Sequence, residues 1–241
     1  EKGGSLIYFD GDEYLNQIAS EISAQINILS YATHPHTVEG NLTRLVFREK
    51  KIPLQIFGDH NLQNIAGAKL VCQQLGISDE QFYEAISSFG GSARRLEVIA
   101  ENENCTVFYD FAHSPSKLKA TTSAVKKQFT NRKLIAVMEL HTFSSLKKQF
   151  LPQYNMAMEC ADAAYVYFDP HTIEHKKLEP ISVDEVELSF GGNNLKVFTD
   201  SDLLFDELRS FDWQGKNLLI MSSGNFSGKD IKAFGKTIID K

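Results

Sequence analysis

The feature that most constrains the fold of this chain is the alternation of short apolar runs with segments of helical periodicity. The apolar runs include "KLIAVMEL" (133–140), "AAYVYFDP" (163–170) and "KNLLIMSSG" (216–224). The helical segments include "QFLPQYNMAMECA" (149–161) and "DLLFDELRSF" (202–211). Such alternation is typical of parallel strands joined by crossover helices. We therefore predict an α/β fold with a doubly wound sheet, in which ligands bind at the carboxyl ends of strands.

Length and charge narrow the class of protein. A chain of 241 residues suffices for one large domain or two ordinary ones. A formal net charge of -6 argues against a nucleic-acid partner held through phosphates. No apolar run reaches the length of about 18 residues that a membrane span needs, so we expect no membrane partner. We expect a cytoplasmic protein whose three separated cysteines are reduced, and surface positions for His34, His36 and His175, which lack metal-ligand spacing.

The first polar cluster is "GDHNLQN" (58–64), which we place directly before a helix at 64–75. Asp and Asn there could cap the helix, which is the ordinary interpretation. The alternative is a ligand site, because an amide donates and accepts and suits a purine edge or a ribose. Asn61 and Asn64 are three residues apart, so they share one helix face.

Two further clusters follow a predicted hinge at Gly90-Gly91-Ser92. Arg94 and Arg95 could be a solvated basic pair, or one of them could contact a phosphate through its planar fork. Asp110 and His113 follow the apolar run "CTVFYDF" and precede a helix that starts near Ser116. They could form a capping loop, or they could contact the ribose and the base of a nucleotide.

The loop "SSGNFSGK" (222–229) resembles a phosphate-binding loop but is not one. That motif, G-x-x-x-x-G-K-[ST], needs four residues between the glycines and a hydroxyl after the lysine. Here three residues separate Gly224 from Gly228, and Asp230 follows Lys229. A tight turn and an anion site formed by backbone N–H groups remain alternatives. The loops 141–145 and 169–171 occupy equivalent strand ends.

The succession "GDHNLQNIAGA", "FGGSARRLE" and "YDFAHSPSKL" resembles the Mur ligases, the ATP-dependent amide ligases of bacterial cell-wall precursor synthesis. The resemblance implies the C-terminal part of a central ATPase domain (1–91) followed by a Rossmann-like C-terminal domain (92–241). "MSSGNFSG" and "FDPH" look most like the recycling branch of the family, whose amine is the tripeptide L-Ala-γ-D-Glu-meso-diaminopimelate. "HTFSSLKKQF" looks closer to the branch that adds L-alanine, which we rank second.

The resemblance also implies roles for individual residues. His60, Asn61, Asn64, Asp110 and His113 would bind ATP, and Arg95 would be the catalytic arginine at the terminal phosphate. The incoming amino acid or peptide would face the strand-end loops, where the candidate residues are His141, Ser144, Ser145, His171, Ser223, Asn225 and Ser227.

Several family features are absent from this sequence. They are the phosphate loop, the acidic ligands of Mg²⁺ and the domain that binds the UDP sugar. We expect them upstream in a longer protein, so that this chain alone holds no metal site and is inactive. Two alternatives stay open: a folylpolyglutamate-synthase-like ligase and a non-catalytic nucleotide-binding module.

Overall fold

The computed structural model describes residues 3–22, 26–192 and 194–240, and the chain divides into two compact units between Gly90 and Gly91. We call residues 1–90 the first unit and residues 91–241 the second unit.

The first unit combines a parallel strand pair with an antiparallel hairpin sheet. Strand β1 pairs with β2 in parallel, and helix α1 connects them. Strands β3, β4 and β5 form an antiparallel sheet, which helices α2 and α3 follow. The elements are β1 (Ser5–Phe9), α1 (Glu13–Glu21), β2 (Asn27–Tyr31), β3 (His36–Glu39), β4 (Leu42–Phe47), β5 (Lys50–Pro53), α2 (Asp59–Gln74) and α3 (Asp79–Ser87).

The core of the first unit joins the hairpin sheet to α2 and α3, with Leu45, Leu62 and Phe82 among its buried side chains. His34 lies in this unit and is buried, so its expected surface position is wrong. Its Nε2 lies 2.7 Å from the hydroxyl of Tyr83. Burial of the ring lowers the pKa of His34, and a neutral imidazole fits this setting.

The second unit contains the predicted doubly wound sheet. Among its described residues the strand order is β10-β9-β8-β11-β7-β6, with β6 antiparallel to β7 and the other pairs parallel. The elements are β6 (Glu97–Glu101), β7 (Cys105–Asp110), α4 (Pro115–Gln128), β8 (Lys133–Leu140), a 3₁₀ turn (Leu151–Tyr154), β9 (Ala163–Phe168), α5 (Pro170–His175), α6 (Val183–Phe190), β10 (Leu195–Phe198), α7 (Ser201–Ser210), β11 (Lys216–Met221) and α8 (Ile231–Ile239).

Helices cover both faces of this sheet. Alternate residues of the central strands, among them Val107, Val137 and Ile220, pack with side chains of α7 and α8 in one buried cluster. Phe108 points to the opposite face, where its ring lies 5.6 Å from that of Phe129 at the end of α4. Because both faces are buried, the central strands are continuously apolar rather than alternating. The predicted α/β fold is confirmed.

One predicted helix is wrong. Residues 149–161 form a 3₁₀ turn at Leu151–Tyr154 and further turns instead of a helix. Pro152 cannot donate a backbone hydrogen bond, and Met156 adopts φ 57°, which ends any helical path. No helix in the described residues is long and apolar enough to cross a membrane.

Candidate functional site

The carboxyl ends of four parallel strands meet at one edge of the second unit's sheet. Met221 of β11 is in register with Asp110 of β7 and with Met138 of β8, and Leu140 of β8 is in register with Phe168 of β9. The loops after these strands therefore lie side by side. These loops hold the candidate site residues of the second unit from Asp110 onward.

Asp110 ends β7 and is 7% exposed. Its two carboxylate oxygens accept backbone N–H bonds, one from Leu96 at 2.7 Å and one from Ala112 at 2.6 Å. A carboxylate has about four lone-pair sites, so two such bonds leave acceptor capacity. Asp110 thus ties the residue before β6 to the loop after β7, and it can still accept a hydrogen bond from a ligand hydroxyl.

Arg94 is held by several contacts within the second unit. It adopts φ 56°, and its carbonyl accepts from the N–H of Phe111 at 2.7 Å. Its guanidinium lies 4.9 Å from the ring centre of Tyr109 and 4.8 Å from that of Phe111. One guanidinium nitrogen donates to the carbonyl of Ser222 at 2.6 Å and lies 3.2 Å from that of Gly224. Arg94 is therefore committed to contacts within the protein.

Arg95 differs from its neighbour. It is exposed, and within the residues that the structure describes its guanidinium makes no hydrogen bond or ion pair. The residues on either side are both fixed, Arg94 as above and Leu96 by its bond to Asp110 at φ 47°. An exposed guanidinium on a fixed backbone is available to an anion.

His113 lies in the loop between β7 and α4. Its Nδ1 is 2.9 Å from the carbonyl of Phe111, which can only accept, so Nδ1 carries the proton. In the neutral ring, Nε2 is then an acceptor. The hydroxyl of Tyr154 donates to the His113 carbonyl at 2.6 Å. These bonds fix the residue while leaving one ring nitrogen for a ligand donor.

Glu139 is a buried carboxylate at this edge that the sequence interpretation missed. It is 3% exposed, near the end of β8. Its Oε2 accepts from the hydroxyl of Ser222 and from the N–H of Phe226, the latter at 3.1 Å. Its Oε1 lies 3.7 Å from Nδ1 of His141. The available signal was a single acidic residue inside the otherwise apolar run "LIAVMEL".

The loop after β11 is tightly built. Phe226, Ser227 and Gly228 are three consecutive residues with positive φ, at 49°, 56° and 88°. The carbonyl of Asn225 accepts hydrogen bonds from the N–H groups of Gly228 and Lys229. The hydroxyl of Ser227 lies 2.7 Å from that of Tyr167 and 3.3 Å from a carboxylate oxygen of Asp169. Ser227 therefore connects this loop to the end of β9.

The remaining substrate candidates differ in exposure. Ser144, His171 and Asn225 are exposed, while Ser223 is half-buried with a hydroxyl that has no partner among the described residues. Ser145 is fully buried, and its hydroxyl donates to the carbonyl of Thr142 at 3.0 Å. In this conformation Ser145 shapes the turn and is not open to a substrate.

In the first unit the polar cluster lies within α2 instead of before it. The helix starts at Asp59, and the residue that caps it is Gly58 at φ 94°, which has no side chain to offer. Asn61 is buried, and its amide donates to the carbonyl of Phe57 at 2.8 Å. His60 is half-buried and Asn64 is exposed. The prediction that this helix begins at residue 64 is wrong, because Gly58 allows the chain to turn earlier.

Two chemical properties of the site follow from its surroundings. Burial raises the pKa of Tyr109, and the nearby Arg94 guanidinium opposes this without reversing it, so the phenol stays neutral. Among the described residues there is no group of three or more His, Cys, Asp or Glu side chains that could hold a metal ion.

Comparisons with known proteins agree with this architecture. The chain is 29% identical to the UDP-N-acetylmuramate–L-alanine ligase of Pelodictyon phaeoclathratiforme over 74% of its length, and the match spans 38% of that relative. The chain therefore spans about two fifths of the length of this curated relative.

Solved structures show the same fold. MurF ligase from Thermotoga maritima in complex with ADP superposes with a TM-score of 0.71 at 15% identity, over 100% of this chain and 55% of that one. The murein peptide ligase mpl from Psychrobacter arcticus superposes with a TM-score of 0.59 at 20% identity, over 98% of this chain and 52% of that one.

The family model described as "Mur ligase, glutamate ligase domain" matches residues 94–224, which is more than half of the chain and lies inside the second unit. The matched range starts at Arg94 and ends at Gly224, whose carbonyl oxygen lies 3.2 Å from the Arg94 guanidinium. This chain belongs to the Mur ligase family.

Proposed function

We propose that this chain is the C-terminal portion of an ATP-dependent ligase that forms an amide between the carboxylate of UDP-N-acetylmuramate and an amine. Residues 1–91 would belong to the central ATP-binding domain and residues 92–241 would form the C-terminal domain. The family membership supports the reaction class, and the name of the curated relative supports the acceptor.

The observation that carries the proposal is the contrast between Arg94 and Arg95. Two adjacent arginines share one loop, yet one is fixed by carbonyls and rings while the other extends from the surface. A guanidinium fork matches the oxygens of a phosphate. Arg95 is therefore the residue to which we assign neutralisation of the transferred phosphoryl group.

Each unit, taken by itself, offers candidate residues for binding a nucleotide. In the second unit, Asp110 has acceptor capacity for ribose hydroxyls, and Nε2 of His113 can accept from a base or a hydroxyl. In the first unit, His60 and Asn64 are the accessible members of the cluster, while the buried Asn61 amide supports the start of α2. Asn61 would thus set the position of its neighbours on the helix.

The chemistry is phosphoryl transfer followed by acyl transfer. The acceptor carboxylate takes the terminal phosphoryl group of ATP and becomes an acyl phosphate, with ADP as the leaving group. The amine then attacks the acyl carbon, phosphate leaves, and the nitrogen loses a proton. Catalysis of this kind depends on positioning and on charge neutralisation. The described residues offer no cluster for Mg²⁺, so we assign no step to the metal here.

The amine would bind beside the strand-end loops of the second unit. The candidates there are His141, Ser144, His171, Ser223, Asn225 and Ser227. The motifs "MSSGNFSG" and "FDPH" favour the tripeptide L-Ala-γ-D-Glu-meso-diaminopimelate, whereas the name of the curated relative favours L-alanine. The tripeptide stays our first prediction and L-alanine the second.

The test of the reaction is ATP-dependent phosphate release by the full-length protein with UDP-N-acetylmuramate. L-alanine and the tripeptide are compared as the amine. Release with the tripeptide alone supports the first prediction, and release with L-alanine alone supports the second. Release with neither amine contradicts the proposal and favours another acceptor or a non-catalytic nucleotide-binding module.

The test of Arg95 uses the same assay. Arg95→Ala should lower kcat/KM by about 10- to 150-fold, since a charge-assisted bond contributes about 1.5–3 kcal/mol. Arg209→Ala is the matched control, because this exposed arginine of α7 pairs with Asp206 on the surface. An unchanged kcat/KM in Arg95→Ala would rule out the assigned role.

A further inference from the structure

The segment Ser222–Phe226 is held by two charged side chains of opposite sign. Arg94 binds it through carbonyl oxygens, at Ser222 and Gly224. Glu139 binds it through donors, the hydroxyl of Ser222 and the N–H of Phe226. The segment includes Ser223 and Asn225, which the proposed function places beside the amine.

The two contacts leave little room for the segment to move. The Ser222 hydroxyl also accepts from the N–H of Gly224 at 2.7 Å, which closes a tight turn over Glu139. A Cβ atom on Gly224 would lie 2.7 Å from a carboxylate oxygen of Glu139 and 2.7 Å from Cγ of His141. The backbone at residue 224 therefore lies so close to Glu139 and His141 that only glycine fits there without a shift.

This arrangement lowers the free energy of unfolding relative to apolar side chains packed in the same place. Glu139 is a buried carboxylate, and Nε of Arg94 is buried without a partner among the described residues. Arg94 and Phe226 also adopt positive φ, which is unfavourable for residues with a side chain. Buried charges and backbone strain in one place are typical of sites that must hold a set geometry.

We propose that Arg94 and Glu139 are positioning residues that set the Ser222–Phe226 segment for the amine substrate. Arg94 in addition fixes the backbone next to Arg95, so that the proposed phosphate contact and the Ser222–Phe226 segment share one support. The role rests on the proposed function. Neither side chain is assigned contact with substrate.

The test compares KM values in the full-length protein. Arg94→Lys keeps the charge but loses the planar fork, and Glu139→Gln keeps the shape but loses the charge. Both should raise KM for the amine by about tenfold, the effect of losing one charge-assisted hydrogen bond. Glu139→Gln, which leaves the support of Arg95 in place, should change KM for ATP by less than about twofold. Ser222→Ala, which removes the hydroxyl between Glu139 and the turn, should act in the same direction.

Two control variants match the chemistry of the changes at other places. Arg209→Lys and Glu207→Gln alter side chains that pair with Asp206 and Lys196 on the surface of the second unit. They should leave both KM values unchanged. The double variant Arg94→Lys, Glu139→Gln should raise the amine KM by less than the product of the single effects, because both act on one segment.

A second measurement separates positioning from general stability. Hydrogen exchange at the amides of Gly224 and Phe226 in the full-length protein should speed up about tenfold in Glu139→Gln, with the amides of β8 unchanged. Uniform loss of protection with an unchanged amine KM would overturn the role and make these residues structural. A wild-type protein without ligase activity overturns the proposed function and this role with it, whereas an active wild type with unresponsive variants overturns the role alone.

Discussion

The tight surroundings of Gly224 give a test that needs no substrate. In Gly224→Ala the new methyl group would lie 2.7 Å from an oxygen of Glu139 and 2.8 Å from Nδ1 of His141. Glu139 is buried and bonded to two groups, so it cannot move aside as a flexible side chain would. The loop must shift instead, and overpacking of this kind costs about 1–3 kcal/mol.

The loss should appear as a lower Tm, by about 3–9 °C for a chain of this size. The sequence contains one tryptophan, Trp213, which is 5% exposed in the core of the second unit. Its fluorescence therefore reports on the unfolding of the unit that carries the change. Thermal and urea unfolding followed at this single residue give the free energy of unfolding.

Gly235→Ala is the matched control. Its new methyl group would meet the far end of Ile99 at 2.8 Å, a side chain that can rotate. Alanine is also better than glycine in a helix by about 1 kcal/mol, which offsets the crowding in α8. We expect a change within about 1 kcal/mol. If Gly224→Ala were as stable as the wild type, the close contact with Glu139 would be wrong.

Three further predictions use the same chain. Asp110→Asn should lower the free energy of unfolding by about 1–3 kcal/mol, because an amide cannot accept both backbone bonds as a carboxylate does. The ammonium of Lys232, followed by the N–H of Arg94, holds the pKa of Glu97 below its ordinary value of 4.5. A carboxylate with a lowered pKa stabilises the fold above 4.5 and loses that contribution as the pH falls through the lowered value, so Glu97→Gln should flatten the loss of stability in acid urea titrations. Burial raises the pKa of the Cys105 thiol to about 11, so iodoacetamide at pH 8 should modify the half-buried Cys72 and Cys160 before Cys105, as mass spectrometry of the native protein would report.

The sequence predicts the strands of the second unit well because burial on both faces makes them continuously apolar. It also predicts which loops follow those strands, since parallel strands place their carboxyl ends at one edge. The helix predicted at 149–161 is wrong, because the prediction followed the spacing of apolar residues and gave Pro152 too little weight. The order of strands in the sheet depends on long-range pairing that no local pattern records.

The site was predictable in residue types but not in roles. Periodicity cannot show that Arg94 turns inward while Arg95 stays outside, because both residues sit in one irregular loop. Ser145 and Ser144 have the same chemistry, yet the first is fully buried by the turn that Thr142 closes. Glu139 escaped notice because an acidic residue in a buried strand needs a partner that lies 83 residues away in sequence, at Ser222.

The position of β11 in the sheet has a consequence for how the second unit forms. Among the described strands β11 (Lys216–Met221) comes last in sequence, yet it lies between β7 and β8. Until the ribosome has released these residues, β7 and β8 each present an unpaired edge, which invites association with other chains. The Ser222–Phe226 segment follows directly, so it acquires its contacts when the sheet closes around β11. Synthesis from the N-terminus thus leaves the centre of the sheet and the Ser222–Phe226 segment to one step, which comes after β7 and β8 have been made.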